Sequence, residues 1–204
     1  MKIRNLILYQ NPIAEDDFYW VKIYYLNSTN KVFFKNKEEA LFSLNKNKYS
    51  ILGKINDKFK KDGYFEFLLQ YPHNKAYAIW KQRVNPIEAD HNTDIGFEMV
   101  ENINFTGFDG LALSKNEYSL LDGMTRSELW YFAVGVYKSW SNDRCFPGIN
   151  EDKGNLCIYE ANLYIKVYDK EIITQLTGDY KCTKYMKSFN FSLTILISLS
   201  ILMI

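Results

Sequence analysis

LALSKNEYSLLDGMTRSELWYFAVGVYKSWSNDRCFPGINEDKGNLCIYEANLYIKVY, residues 111–168, decides the fold class. Two apolar blocks stand out in it, at 129–137 and 158–168. Both are rich in β-branched and aromatic side chains, which suit a pleated, half-buried surface. Around them lie turn formers: Asp122-Gly123, Pro147-Gly148 and Lys153-Gly154-Asn155. The order is strand, turn, strand, with no helical period.

The pattern extends upstream. Residues 16–26 read as a first strand, with apolar residues on both faces, and 27–30 as its turn. A short strand follows at 32–34. Residues 37–42, KEEALF, have acids early and Leu41 and Leu44 spaced to face a core, which marks the one helix; helix or turn continues through 49–55. Asn45-Lys46-Asn47-Lys48 reads as solvated loop. YFEFLLQY at 64–71 is a strong strand closed by Pro72, and AYAIWKQRV at 76–84 is another, closed by Asn85-Pro86. Residues 95–103 alternate as a half-buried strand, and 108–114 follow as the next. The expected fold is mainly β: a single jelly-roll-like β-sandwich of about eight strands and one short helix, with a C-terminal hydrophobic helix. The expected boundaries are an N-terminal segment at 1–15, the β-rich recognition domain at 16–170, a polar stalk at 171–187 and a hydrophobic membrane tail at 188–204.

Composition limits the function. A hydrophobic fraction of 47% excludes wholesale disorder, and a formal net charge of +1 supplies no field for nucleic acid. Aromatic residues make up 17% of the chain, enough for a core and for exposed rings besides. No Gly-rich turn feeds a helix, so a nucleotide loop is absent from the reading. The two histidines, His73 and His91, sit in polar loops and make neither a triad nor a His-rich metal centre. Asp109, Glu117, Asp122 and Asp152 lie near turns, where side-chain bonds to the local backbone account for such acids. Weak Ca2+ binding by them and backbone carbonyls is the one cofactor that the sequence leaves open. The chain reads as a non-enzyme; a hydrolase would need two of its acids paired in a cleft.

The cysteines and the ends bear on location. Cys145 and Cys157 flank a Pro-Gly turn and would close a short loop in an oxidising compartment, leaving Cys182 odd; three free thiols are the alternative. Asn27-Ser28-Thr29 and Asn104-Phe105-Thr106 are glycosylation sequons in expected loops, with meaning only outside the cytosol. Residues 188–204, SFNFSLTILISLSILMI, carry no charge and suffice, marginally, to span a bilayer. They read as a retained anchor or a cleaved lipid-anchor signal, with a buried C-terminal element as the third reading. Leu6-Ile7-Leu8 is too short for the apolar core of a signal peptide. Either the domain is tail-anchored and faces the cytosol, as Lys181, Lys184 and Lys187 before the tail would suit, or the true start lies upstream.

Candidate ligand-binding residues follow from side-chain chemistry. Trp80 and Gln82 are two apart and share a face of one strand. A ring for the apolar side of a sugar and an amide for its hydroxyls make a sugar-holding pair, which Asn85 extends. The alternative is a core Trp with an edge-pairing Gln. Asp122 at its turn is a further hydroxyl reader. Trp130 falls inside an apolar block and reads as core; Trp140, between Ser139 and Ser141, reads as an exposed ring.

Several motifs recur in order: FFxNKEEA at 33–40, YSILxKI at 49–55, DGYFEFLLQYP at 62–72, WKQxxNP at 80–86, GLALS at 110–114, LLDG at 120–123, WYFAVG at 130–135, and a final PG with YIKVY. Across 18–168 they resemble an uncharacterised β-rich module of cell-surface and matrix proteins of marine invertebrates, often found beside EGF-like and adhesion modules. The resemblance implies a place outside the cell and a binding or structural role, and no catalytic residues. Such modules sit behind a signal peptide, which is not read here. The expectation is therefore a membrane-tethered recognition or adhesion module at the cell surface, binding glycans or surface glycoproteins. The alternative is a structural or homophilic surface protein with no small-molecule site.

Overall fold

The computed structural model of the chain describes residues 8–10, 18–127, 130–140, 142–149, 156–169, 171–173 and 185–187. In chain order, one large sheet takes β1 (Leu8–Gln10), β2 (Tyr19–Asn27), β3 (Ser43–Asn45), β4 (Lys48–Ser50), β5 (Phe65–Tyr71), β6 (Ala76–Gln82) and β7 (Glu98–Ile103). A three-stranded sheet holds β8 (Ala112–Leu113), β9 (Ser119–Asp122) and β10 (Val134–Val136), and a two-stranded one β11 (Phe146–Gly148) and β12 (Leu156–Ile158). The chain then returns to the large sheet with β13 (Glu160–Val167) and β14 (Tyr185–Lys187). The large sheet runs β14-β1-β2-β13-β5-β6-β7, with the β3–β4 hairpin attached to β2 through β4. Its pairs are antiparallel except β1 with β14. The fold is thus mainly β, built from several antiparallel sheets.

Strand alternation decides where the core lies. Phe65, Phe67, Leu69 and Tyr71 of β5, Ala76, Ala78 and Trp80 of β6, and Ala161, Leu163, Ile165 and Val167 of β13 all point inward. Onto them pack Leu120, Leu121, Val134 and Val136 of the three-stranded sheet and Phe146 and Ile158 of the two-stranded one. Rings fill the gap: Phe105 stacks on Tyr71 and Phe132 at 5.0 and 4.9 Å, and Phe108 meets Trp80 edge-on at 4.7 Å. Gly123 is required here, because a Cβ would lie 2.5 Å from Phe132 and 2.8 Å from the Phe108 ring. The mixed faces of β2 have a local cause. The ladder with β13 slips by one residue, Tyr24 facing Leu163 and Lys22 facing Tyr164, so Ile23 is a bulge residue. Ile23 and Tyr24 both point inward, and Tyr25 returns to the outer face with Trp20 and Lys22.

Several sequence expectations need correction. The helix α1 (Lys37–Leu41) forms, capped by the Asn36 side chain on the Glu39 amide, but ends at Phe42 in extended backbone. Leu44 therefore lies in β3 and is exposed rather than facing the core. Residues 45–48 turn the β3–β4 hairpin, and Lys48 is buried, its Nζ donating to Glu39 Oε2 at 2.7 Å and to the Phe33 carbonyl at 3.0 Å. Residues 32–34 are not a strand; Phe34 is held by its amide donating to Val136 O. Of the block at 129–137 only Val134–Val136 is strand, and Trp130 is half-buried at the core's rim, stacked on Tyr118 at 4.9 Å. The expected polar stalk begins inside the domain, since Ile173 is buried in the core and Tyr185–Lys187 pairs with β1. The tail at 188–204 and Cys182 lie outside the described residues, as does most of 1–15. Among the described residues no helix is long and apolar enough to cross a membrane.

Candidate functional site

Trp80 and Gln82 do share a face of β6, as their spacing requires, but the face points inward. Both are fully buried. The Trp80 ring stacks on Phe67 at 5.3 Å, and its Nε1 donates to Gln82 Oε1 at 2.8 Å. Gln82 Oε1 also accepts from the Leu111 amide at 3.0 Å, and Nε2 donates to Val84 O at 2.7 Å and Leu111 O at 3.0 Å. The amide thus reads the protein's own backbone, and this pair is not a surface platform for a sugar. Asn85 is buried too. Its Nδ2 donates to Ile55 O at 3.0 Å and its Oδ1 accepts from the Ile87 amide, so it fixes the turn after β6.

Asp122 ends β9 and is buried, its Oδ1 accepting from the Met124 amide at 3.0 Å. Burial pushes its carboxyl up to about 8, and the charge of nearby Asp109 adds to the rise. Asp109 in turn accepts from the Thr125 amide at 2.7 Å. Of the other acids weighed for calcium, exposed Glu117 pairs with Lys138 at 2.8 Å and Asp152 lies outside the described residues. His73 Nε2 lies 2.9 Å from Glu160 Oε2.

Trp140 stands apart from these four. It is half-buried, with its amide donating to Cys145 O at 2.9 Å and its carbonyl accepting from Asp143 N at 3.2 Å. That loop leads into β11, where Cys145 is joined to Cys157 of β12 by a disulfide, Cα–Cα 5.2 Å. Among the described residues, Asp143, Cys145 and Cys157 are the one group of three with metal-ligand atoms in mutual reach, but the sulfurs are bonded to each other. The bridge closes a short loop across a 12-residue separation. Its reduction is expected to cost about 3 kcal/mol by loop entropy, seen as a lower midpoint in thermal unfolding with a reductant; an unchanged midpoint would show that the β11–β12 hairpin holds without it.

The face of the large sheet turned away from the core carries a different set of residues. No described sheet or helix is layered on it, although Asn162, Tyr164 and Leu68 at its centre are buried; the two small sheets pack on the other side. Register places Tyr25, Asn162, Gln70 and Tyr77 in one row across β2, β13, β5 and β6. At the usual strand spacing the row spans about 14 Å. Two phenol rings therefore flank two amides. The Tyr77 ring is tied at its tip: its hydroxyl donates to Glu101 Oε1 of β7, and desolvation, with this bond, pushes the phenol up to about 12. Desolvation also raises the Tyr25 phenol, with Glu160 adding to the rise and the Asn27 side chain opposing it. The next row is Lys22, Tyr164, Leu68 and Ile79. Beyond it lies a closed cluster in which Lys166 Nζ is 2.8 Å from Glu66 Oε1 and 4.1 Å from the centre of the Phe18 ring, near Trp20 and Tyr168.

The sequons lie at this sheet's ends. Asn27 is the last residue of β2, with its Oδ1 accepting from the Thr29 amide at 3.1 Å; Asn104 follows β7, exposed. Sequence inspection missed the outer rows, although their signal is present: polar and aromatic residues recur two apart in FEFLLQY, AYAIWKQ and EANLYIKV. Neighbouring strands in each row are far apart in sequence, so only the register assembles them.

No protein-family model, curated protein or solved structure matches the chain.

Proposed function

We propose that the protein is a recognition or adhesion module, tethered to the cell surface by its hydrophobic C-terminal segment, which binds carbohydrate on the outer face of its large sheet. The domain would then be a β-sandwich with one layer given to the ligand. The row Tyr25–Asn162–Gln70–Tyr77 carries this reading. Phenol faces cover the apolar face of a pyranose, and side-chain amides offer both donor and acceptor to its hydroxyls. The Tyr77 ring, fixed by Glu101, loses little freedom on binding, which favours a site built from few contacts. The row is long enough for an oligosaccharide. A shallow face of this kind binds weakly, and clustering on a membrane supplies avidity. The disulfide and the two sequons support a place outside the cell. Binding rather than catalysis is favoured because Asp109 and Asp122 are committed to backbone amides.

A glycan array probed with the clustered full chain tests this. Tyr25→Ala and Tyr77→Ala are each expected to weaken binding about tenfold, a loss of about 1.4 kcal/mol, while Trp140→Ala keeps full binding. A blank array, or equal binding by the two tyrosine variants and the parent, would sink the proposal. One observation favours homophilic pairing as a second reading. Among the described residues β7 is an edge strand, and it exposes the apolar Val100 and Ile103. Concentration-dependent dimers in light scattering that Val100→Lys abolishes would support it.

A further inference from the structure

Resting on the glycan reading, we infer that Lys22 and Asn162 form an anion subsite beside the tyrosine row, which selects sugars bearing a negative group, a carboxylate or a sulfate ester. Three observations meet there. Among the described residues Lys22 Nζ makes no ion pair, whereas Lys166 on the same face is locked to Glu66. It lies instead between two rings, 5.3 Å from the Tyr25 centroid and 5.4 Å from that of Tyr164. Asn162, two residues along β13 from Tyr164 and directly opposite Tyr25, has a buried Oδ1 that accepts no hydrogen bond. A buried acceptor left unsatisfied costs about 1–3 kcal/mol, and native proteins rarely keep one without use. An unpaired cation and an unpaired acceptor thus border one aromatic wall.

An acidic pyranose answers each feature. Its ring lies on Tyr25 and its anionic group takes Lys22, and a hydroxyl donates to Asn162 Oδ1 once the neighbouring side chains that bury this oxygen part to admit it. The ammonium is a point charge with three donors, so it accepts either a carboxylate or a sulfate. The other charged and titratable groups facing it are accounted for. Glu160 of β13 is engaged by His73, Glu66 of β5 by Lys166, and desolvation raises the Tyr25 phenol and keeps it neutral. Desolvation holds the Lys22 amine down at about 8, against the opposing pull of Glu160. The subsite is therefore charged at neutral pH and loses its charge in mildly alkaline solution, and a bound anion raises the lysine's affinity for its proton.

The test compares methyl glucuronide, methyl 6-sulfoglucoside and methyl glucoside, titrated by NMR into the full chain in a detergent without a sugar headgroup. At pH 6.5 at least one anionic sugar is expected to bind about tenfold more tightly than the neutral one, from about 1.4 kcal/mol; the two anionic arms separate carboxylate from sulfate. The preference fades above about pH 8 as Lys22 deprotonates. Lys22→Gln loses the preference but keeps the neutral sugar, and Lys22→Arg retains it. The Lys22 ε-methylene titration shifts upward in pH with the anionic ligand bound, a readout that needs no variant. Equal binding of all three sugars, or a preference that survives in Lys22→Gln, overturns the subsite and leaves the glycan face standing. No binding by any of the three, with a blank array, overturns both.

Discussion

Gln82→Leu is expected to lower the unfolding free energy by about 3–5 kcal/mol. The substitution keeps the bulk and removes the hydrogen bonds. Four groups then lose their partner at once: the Trp80 indole N–H, the Leu111 amide and carbonyl, and the Val84 carbonyl. The site is fully buried, so water does not replace the amide without opening the sheet. Gly110, beside it, adopts φ +108 and comes so close to Ile95 that a Cβ would lie 2.5 Å away, so the segment has no room to shift. Gln82→Glu separates the two halves of the role. It retains the acceptor for Trp80 and Leu111 N–H but removes both donors and brings in a carboxyl, and is expected to be as damaging at neutral pH and milder in acid. Urea unfolding at pH 7 and pH 4.5 checks this; a loss under 1 kcal/mol for Gln82→Leu would show that Gln82 does not hold β6 to the segment at Leu111.

The second large effect has the opposite sign. Asp122→Asn is expected to stabilise the protein at pH 8.5 by on the order of 4 kcal/mol, with little change at pH 4. Asp122 titrates near 8 when folded, against 3.8 for an ordinary aspartate. The folded chain therefore holds this proton more tightly than the unfolded one. The stability it confers is complete below about 4 and is lost progressively as pH rises through about 8. Burial is the main cause and the charge of Asp109 the lesser one. The Tyr71 hydroxyl is also buried, with no hydrogen-bond partner among the described residues, and Asp122 adds to the rise that burial gives its phenol. Asparagine keeps the carbonyl that accepts from Met124 N–H and never ionises. Thermal unfolding from pH 4 to 9 should show a falling midpoint for the parent and a flatter profile for the variant. Parallel profiles would mean that Asp122 is ionised in the fold without penalty.

These two residues also show what the sequence discloses. The strands β5 and β6, their ends at Pro72 and Asn85-Pro86, and the helix opening at Lys37-Glu38-Glu39 follow from local chemistry and were legible. A period of two tells which residues share a face, and Trp80 and Gln82 do share one. It does not tell which face is inward when both carry apolar residues, as in AYAIWKQ, where Tyr77 and Ile79 alternate with Ala78 and Trp80. The alternation fits an outward sugar-holding pair and a core Trp with its Gln equally well, and the fold has the core arrangement. Strands of two to four residues, such as β8 to β12, are too short to show a period and exist through the core they pack on. The outer row joins positions 25, 162, 70 and 77, and such long-range register has no local signature. The Cys145–Cys157 pair was visible because a turn brings its halves together over a short loop.

The bulge at Ile23 has an evolutionary meaning. Since Ile23 is surplus to the ladder, a one-codon deletion there restores plain alternation and leaves Lys22 and Tyr25 facing outward as before. Val100, at the slip between β6 and β7, has the same property with respect to Met99 and Glu101. Elsewhere in these strands, loss of one residue would exchange the outer face for the core. Divergent descendants of this gene should therefore change strand length at positions 23 and 100 first, with the outer face of the sheet inherited intact on either side of the gap.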